Sequence, residues 1–229
     1  MKISFMGLDL TEGKVKYKDA RVEKLVEKFS PKKIVWFFAE FIKENFSVSD
    51  AIVVLKEKAL DLLILDMEKL EARLSNTQDL DEKQLLQKCL SNLEQEIPLC
   101  NLEFNEKDLA VLKVLAPFSL KPTLFVTEIF DINSLIAQLL EKAKLMFFYT
   151  AGKKEVHPWC VRKNSSALTC AAKIHSDLAR GFIKAEVVSF ADFMGVYNMQ
   201  EAKAKGIVKI VDKEYLIADG DILEIRFNV

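Results

Sequence analysis

Two histidines and two cysteines in the C-terminal half carry the side chains that zinc prefers. They are His157, Cys160, Cys170 and His175, which would supply two nitrogen and two sulfur donors, the number that tetrahedral zinc takes. Their spacing fits no standard zinc knuckle. We therefore predict no metal site and interpret the four residues as two half-exposed histidines and two small, buried, reduced thiols.

Ser165, Ser166, His175 and Asp177 have the residue types of a nucleophilic triad. No Gly-x-Ser-x-Gly turn surrounds the serines. His175 and Asp177 lie two residues apart, so on a helix they would point to different sides. The sequence therefore predicts no hydrolytic site, and we assign no catalytic residue.

A local excess of positive charge is the third feature of the sequence that could form a functional site. The segment from Lys153 to Lys184 holds seven lysines and arginines against two acids, Glu155 and Asp177. Residues 185–229 reverse the balance, with five basic and eight acidic side chains. Clustered positive side chains bind phosphate oxygens. The predicted RNA-binding or partner-binding residues are Arg162, Lys163, Lys173, His175, Arg180 and Lys184.

The composition of the chain limits its partners. Among 229 residues, 33 Lys and Arg nearly balance 34 Asp and Glu, so no overall field favours DNA or an anionic membrane. The apolar stretch at the N-terminus is interrupted by Asp9 and Glu12, which makes it too short for a signal segment or a membrane span. We expect a cytoplasmic, monomeric protein without a cofactor, folded either into two compact units or into one core with an appendage.

Residues 1–56 and residues 99–150 have the apolar runs of an α/β layer. In the first segment, the predicted elements are strands over Ile3–Met6, Ile34–Ile42 and Ala51–Leu55, with a helix from about Asp19 to Phe29. In the second segment, they are a helix from Asn105 to Pro117, strands over Thr123–Ile129 and Leu145–Tyr149, and a helix over Ile132–Lys144. One α/β layer would then be interrupted by the residues between these segments.

Residues 57–98 have a helical period. Leucine and methionine recur every three or four residues in two runs, which the polar segment Ser75–Asp81 separates. Asp79 or Asp81 can cap the second run, and Pro98 would end it. The sequence therefore predicts a helical hairpin, or coiled-coil arm, inserted into a reduced α/β layer.

Residues 151–229 are predicted to form a separate small domain. Its predicted elements are a strand over Glu155–Val161, a helix over Ala167–Gly181, and strands over Ala185–Phe190, Ile207–Val211, Tyr215–Ile217 and Ile222–Phe227. A tight turn at Asp219-Gly220-Asp221 precedes the last strand. This order is typical of a β-grasp, or ubiquitin-like, domain, so the predicted fold class is α+β.

Several short stretches of the C-terminal third occur in a characteristic order. They are Phe147-Phe148-Tyr149-Thr150-Ala151-Gly152, Lys154-Glu155-Val156, Trp159, Ala171-Ala172-Lys173-Ile174-His175-Ser176-Asp177, Arg180-Gly181-Phe182-Ile183-Lys184-Ala185-Glu186-Val187, Asp219-Gly220-Asp221-Ile222 and Arg226-Phe227-Asn228-Val229. Together they resemble the C-terminal TGS domain of the Obg-like ATPase (YchF) family. Weaker similarity to that family extends upstream. It covers Val15–Lys33, Asp50–Leu55, Leu63–Leu74 and Lys121–Asp131.

The resemblance implies a P-loop, Gly-x-x-x-x-Gly-Lys-Ser/Thr, near the N-terminus. The chain instead has Gly7, five intervening residues, Gly13, Lys14 and then a valine. No Asp-x-x-Gly follows a strand in the first 60 residues. The base-reading Asn-x-x-Glu of the family stands as Glu-Ile-Phe-Asp from Glu128, and a glutamate cannot offer the paired donor and acceptor of an amide.

The sequence thus predicts a degenerate relative without hydrolytic activity. Its predicted function is that of a non-catalytic binding protein, which contacts RNA or the ribosome through the TGS-like domain. The alternative is a residual ATP-binding or GTP-binding protein with a non-standard site. That site would use Gly7, Gly13, Lys14 and Glu128.

Overall fold

The computed structural model describes residues 1–129 and 131–228, so Phe130 and Val229 of the quoted motifs lie outside the described residues. The chain forms two compact units, each built from two segments. The first unit is Met1–Val15 with Ala39–Ala143, and the second unit is Lys16–Phe38 with Lys144–Val229. The predicted domains differ from these units, because they placed residues 16–38 in the α/β region and extended that region to residue 150.

The strands, numbered along the chain, are β1 Lys2–Met6, β2 Gly13–Lys16, β3 Lys33–Ile34, β4 Phe38–Lys43, β5 Ala51–Leu55, β6 Thr123–Val126, β7 Leu145–Ala151, β8 Glu155–Arg162, β9 Phe182–Val188, β10 Lys209–Val211 and β11 Ile222–Phe227. The helices are α1 Ala20–Phe29, α2 Ala59–Asn76, α3 Leu80–Glu94, α4 Glu106–Leu115, α5 Ile132–Lys142, α6 Ala167–Ile174, α7 Ser176–Arg180, α8 Phe190–Met194 and α9 Met199–Ala204. The mixed α+β class predicted from the sequence is confirmed.

The sheet of the first unit has the strand order β2-β4-β1-β5-β6. Strand β1 pairs in parallel with β4 and β5, and β5 pairs in parallel with β6. The residues Ala51 to Val54 of β5 are all buried, as expected for a strand that is covered on both faces. Strands β5 and β6 are neighbours although residues 56–122 separate them in the chain, so α2, α3 and α4 form an insertion between adjacent strands.

Helices α2 and α3 pack together through fully buried leucines. The buried leucines at this contact include Leu63, Leu70, Leu86 and Leu93. The Asp79 carboxylate accepts the backbone N–H of Glu82 at 3.0 Å and caps α3, as one of the two predicted caps. The prediction that Pro98 ends this helix is wrong. The last turn closes at Glu94, and Glu96 then takes a left-handed φ of 57°, which turns the chain before the proline.

The sheet of the second unit has the strand order β10-β9-β11-β7-β8-β3. Strands β7 and β8 form an antiparallel hairpin, and β11 lies between β9, which is antiparallel to it, and β7, which is parallel. Helix α6 packs its buried Ala167 and Cys170 on one face of this sheet, against Phe148 and Leu223. Helix α1 contacts β8, so residues 16–38 complete this unit.

Two apolar runs were assigned to the wrong partners. The predicted single strand over Ile34–Ile42 is split into β3 and β4, which belong to different sheets. The run Leu145–Tyr149 was predicted to complete a layer with Thr123–Ile129, but β7 joins the second sheet and β6, which ends at Val126, joins the first. An apolar run specifies a buried strand, but it does not specify which sheet the strand enters.

Three predicted elements of the C-terminal region also differ. The helix over Ala167–Gly181 breaks at His175, whose extended backbone separates α6 from α7. Strand β9 ends at Val188, and Phe190 begins α8 after the cap Ser189. The strand over Tyr215–Ile217 is reduced to one bridge between Leu216 and Ser166. No helix in residues 1–129 or 131–228 has the length and apolar character needed to cross a bilayer.

Candidate functional site

The residues proposed for a nucleotide fall at one edge of the first sheet. Gly7 follows β1 and Glu128 lies just beyond the end of β6, and the parallel strands place both at the C-terminal edge. Residues 7–12 contain no helix, and the chain continues directly into β2. A P-loop requires the N-terminus of a helix here to bind phosphate. In this structure the loop after β1 enters strand β2, so residues 7–12 contain no helix N-terminus.

The residues proposed for nucleotide binding have different surroundings. Gly7 has a φ of +73°, and a Cβ built on it would lie 2.9 Å from Cγ of Lys58, so the stem of Lys58 packs against this turn. Lys14 is an exposed residue of β2, one position after Gly13. Glu128 is exposed and lines a cleft of about 280 Å³, separate from the turn at Gly7. The residues that line this cleft do not include Gly7, Gly13 or Lys14.

Two of the predicted RNA-binding residues lie at the open end of the β7–β8 hairpin. Arg162 is the last residue of β8, and Lys163 follows it in an exposed turn where Asn164 has a left-handed φ of 63°. Ser166 then caps α6 by accepting the backbone N–H of Thr169. The two basic side chains therefore lie near the N-terminus of α6.

The other four predicted residues are distributed over α6, α7 and β9. Lys173 is exposed in the last turn of α6. His175 caps α7, because its Nδ1 accepts the backbone N–H of Asp177 at 3.1 Å. Arg180 lies 3.0 Å from Asp177, and the amine of Lys184 pairs with Asp212. Acidic neighbours thus offset part of the positive charge that the sequence assigned to this surface.

One basic residue of this region was missed by the sequence analysis. Lys144 is exposed and precedes β7, and its carbonyl accepts the backbone N–H of Lys163 at 2.7 Å. Leu145 pairs with Arg162 in the hairpin register. Lys144, Arg162 and Lys163 therefore form one group, called here the basic hairpin end. The pairing of two consecutive predicted strands was the signal that could have identified Lys144.

An ionic cluster joins the two segments of the second unit. The guanidinium of Arg21 donates to Asp219 at 2.5 Å, and Asp219 also accepts the backbone N–H of Phe147. Burial works to raise the pKa of Asp219, but these hydrogen bonds and the nearby charges lower it below its usual value. The Tyr149 hydroxyl donates to Asp19, the cap of α1, and burial raises the pKa of that hydroxyl.

The four histidines and cysteines considered as zinc ligands do not share one environment. Cys170 is fully buried, and burial raises the pKa of its thiol to about 12. His157 stacks on Trp159 with 3.6 Å between ring centroids, and burial lowers the pKa of this histidine. His175 is exposed at the start of α7. In residues 1–129 and 131–228, no group of three or more His, Cys, Asp or Glu side chains is arranged to hold a metal ion.

Comparisons with known proteins match this chain to YchF proteins, over its C-terminal part in one comparison and over most of its length in another. The family model YchF-GTPase_C, described as a protein of unknown function (DUF933), matches residues 145–228. The "Ribosome-binding ATPase YchF" of Mycoplasma genitalium is 35% identical over 179 residues, which cover 75% of this chain and 48% of that protein. The comparisons support membership of the YchF and Obg-like ATPase family.

Two further relatives of the YchF and Obg-like family show how far the similarity extends. The "Ribosome-binding ATPase YchF" of Bacillus subtilis is 28% identical over 237 residues, which cover 74% of this chain and 65% of that protein. The "Obg-like ATPase 1" of Danio rerio is 44% identical, but over 85 residues, or 37% of this chain and 22% of that protein. The chain spans about half to two thirds of the length of the curated YchF proteins it matches.

A solved YchF structure has a similar fold. The "Structure of the Schizosaccharomyces pombe YchF GTPase" superposes with a TM-score of 0.77 and 18% identity, covering 96% of this chain and 88% of that one. At this identity, the similarity concerns the fold alone. The mixed α+β architecture with two sheets is consistent with a YchF-like fold.

Proposed function

We propose that this YchF-related chain binds ribosomal RNA through the basic hairpin end of its second unit. The observation that carries the proposal is the grouping of Lys144, Arg162 and Lys163 in one exposed region beside the N-terminus of α6. Amines and guanidinium groups bind phosphate oxygens, and the N–H groups at a helix start favour the same ligand. The relatives named ribosome-binding ATPases support the ribosome as the particle that carries this RNA.

We further assign the second unit to the TGS type of β-grasp domain. The β7–β8 hairpin, the packed helix α6 and the central β11 parallel to β7 support this assignment. The first unit would then be a reduced G-domain-like layer, interrupted by α2 and α3 as a coiled-coil arm. The protein would act in the cytoplasm as a monomer.

We also propose that the chain does not hydrolyse nucleotide. The support is the strand β2 in place of a P-loop helix, the side chain of Lys58 against Gly7, and Glu128 where the family has an amide. Residual nucleotide binding at the edge of the first sheet is the alternative that an experiment must distinguish.

Nucleotide binding is tested by thermal denaturation with and without MgATP or MgGTP. We expect the melting temperature to stay unchanged at millimolar nucleotide. A ligand selective for the folded state stabilises it by about 2.7 kcal/mol at a hundred times its Kd, which shifts the midpoint by several degrees. A shift of that size with either nucleotide would favour the alternative function, and phosphate release above background would overturn the proposal of no hydrolysis.

RNA binding is tested by replacing Lys144, Arg162 and Lys163 together with glutamine. We expect weaker binding to purified ribosomal particles and to structured RNA. The log–log slope of affinity against salt should fall by about 2, since each phosphate contact on a single strand contributes about 0.7.

The matched control replaces three lysines of the acid-rich segment, Lys205, Lys209 and Lys213, with glutamine. This control removes the same charge from the same unit and should bind like the parent. Equal loss in both variants would mean a non-specific charge effect. Unchanged binding in the first variant would exclude the basic hairpin end as the RNA-binding surface.

A further inference from the structure

Strand β11 is paired along its whole length on one side and at one position on the other. Its register with β9 runs from Ile222 to Phe227, whereas its register with β7 consists of Ile222 opposite Tyr149. After Ala151, the chain leaves β7 and turns into β8. In the part of the chain that the structure describes, the outer half of β11 therefore has no strand on its β7 side.

The direction of the backbone groups follows from the bonds that β11 does form. Tyr149 donates its N–H to the carbonyl of Asp221 at 2.8 Å, so Asp221 directs its backbone towards β7. Alternate residues of an antiparallel strand direct their backbone groups to the same side. Ile225, four residues after Asp221, thus presents its N–H and C=O to the unpaired side, while Glu224 and Arg226 present theirs to β9.

A cleft of about 500 Å³ lies beside this unpaired edge. Ile174 and Leu178 line the side where α6 packs on the sheet. Met199 lines the opposite side, in the helix α9 whose Lys203 contacts Glu224 at 3.6 Å. A strand in this cleft would be covered by apolar side chains on both faces, and strands covered on both faces have continuous apolar runs.

The wall of the cleft formed by the β7–β8 turn is basic. Lys153 and Lys154 are exposed there, and among the described residues no carboxylate lies within ion-pair distance of either amine. The acids of the cleft are already engaged: Glu155 bonds to Lys33 at 2.6 Å, and Glu224 faces Lys203. The charge that remains at this end is positive, so it complements an acidic ligand.

We propose that the cleft binds an extended peptide segment of a partner protein, which adds to β11 as a strand. The bound segment has about four consecutive apolar residues followed by acidic residues that reach Lys153 and Lys154. Backbone pairing with Ile225 supplies affinity, and the apolar walls and the lysines supply specificity. The register places Ala151, the last residue of β7, opposite Glu224, so the free edge of β11 runs from Ile225 to Phe227 and is about 7 Å long at 3.4 Å per residue. The rest of the segment contacts the walls of the cleft.

This site lies at the other end of the hairpin from the RNA surface. Lys163 lies nine positions after Lys154 in the chain, and in an extended strand nine steps span about 30 Å. The two surfaces can therefore be occupied independently, and the test does not depend on RNA binding.

The test measures binding of a labelled synthetic peptide, acetyl-Val-Ile-Val-Val-Asp-Glu-amide, to the full chain by fluorescence anisotropy. Two further peptides carry backbone N-methyl groups at alternate residues. One is methylated at the odd-numbered residues and the other at the even-numbered residues. We expect the parent peptide to bind and one of the two N-methylated peptides to bind at least about tenfold more weakly, because it loses the N–H groups that pair with β11. The other N-methylated peptide, with its N-methyl groups directed away from β11, should bind better than the first.

The lysines are tested by the double variant Lys153→Glu and Lys154→Glu, with Lys209→Glu and Lys213→Glu as the matched control. The first pair should weaken peptide binding about tenfold or more, and the control pair should leave it unchanged. In amide exchange by NMR, the peptide should slow exchange at Ile225 and leave Glu224 and Arg226, already paired with β9, unaffected. The proposal is overturned if the parent peptide does not bind or if both N-methylated peptides bind equally well.

Discussion

Replacing Leu25 with alanine is expected to lower the free energy of unfolding of the second unit by about 2 to 5 kcal/mol. Leu25 is fully buried in α1, as is Val22 one turn before it. Both belong to the segment Lys16–Phe38, which joins the C-terminal residues in one compact unit. The substitution removes apolar contacts and leaves a cavity that a packed interior fills only partly.

Intrinsic fluorescence is a selective probe for this unit. The tryptophans are Trp36 and Trp159, and all four tyrosines also lie in the segments 16–38 and 144–229. Denaturant unfolding followed by fluorescence should therefore show the lower midpoint of the Leu25→Ala variant. The control Lys24→Ala, at an exposed neighbouring position of the same helix, should unfold like the parent. If Leu25→Ala leaves the midpoint of the fluorescence transition unchanged, α1 does not stabilise the second unit.

Local signals in the sequence were sufficient for most helix starts. Asp19, Asp79 and Asn105 were each placed at or near a predicted helix start, and each accepts a backbone N–H from the first turn. Such caps depend on residues two or three positions apart, so the sequence itself contains the whole interaction. Helix ends were less predictable, because α3 stops at Glu94 without a proline or glycine.

Long-range pairing was not predictable in the same way. The run from Ile34 to Ile42 is apolar except for Glu40, yet Ile34 pairs with Val156 and Phe41 pairs with Ile3. Nothing local distinguishes the two halves, because both satisfy the pattern of a buried strand. Residues 16–38 belong to the second unit because of these pairings. The predicted domains followed the order of the sequence, so they placed α1 in the α/β region instead of the second unit.

The candidate site also depends on contacts between residues that are far apart in the sequence. The pair Asp177 and Arg180 is visible in the sequence as an i, i+3 contact, so the partial neutralisation of Arg180 was predictable. The partner of Lys184 is Asp212, which lies 28 residues away and reaches it only through the sheet. Counting charges along a segment finds the basic stretch, but only the strand register identifies Lys144 as a neighbour of Lys163.

The second large effect is expected at Asp66, a fully buried carboxylate on α2. Its two oxygens accept the backbone N–H groups of Phe118 at 2.5 Å and Ser119 at 2.7 Å, and the amine of Lys69 lies 3.8 Å away. Asp66 thus connects the inserted helices to the turn that leads into β6. Replacing it with alanine leaves two N–H groups without their acceptor, and we expect a loss of about 3 to 5 kcal/mol in the stability of the first unit.

Far-ultraviolet circular dichroism should report this loss, because α2, α3, α4 and α5 all belong to the first unit. The Asp66→Asn variant keeps one acceptor oxygen, so its unfolding midpoint should lie between those of the parent and Asp66→Ala. The control Asp61→Ala removes an exposed carboxylate that pairs with Lys58 on the surface, where ion pairs contribute about 0 to 1 kcal/mol. Equal midpoints for Asp61→Ala and Asp66→Ala would contradict the prediction. A loss confined to Asp66 would mean that one buried carboxylate connects the inserted helices to the sheet they interrupt.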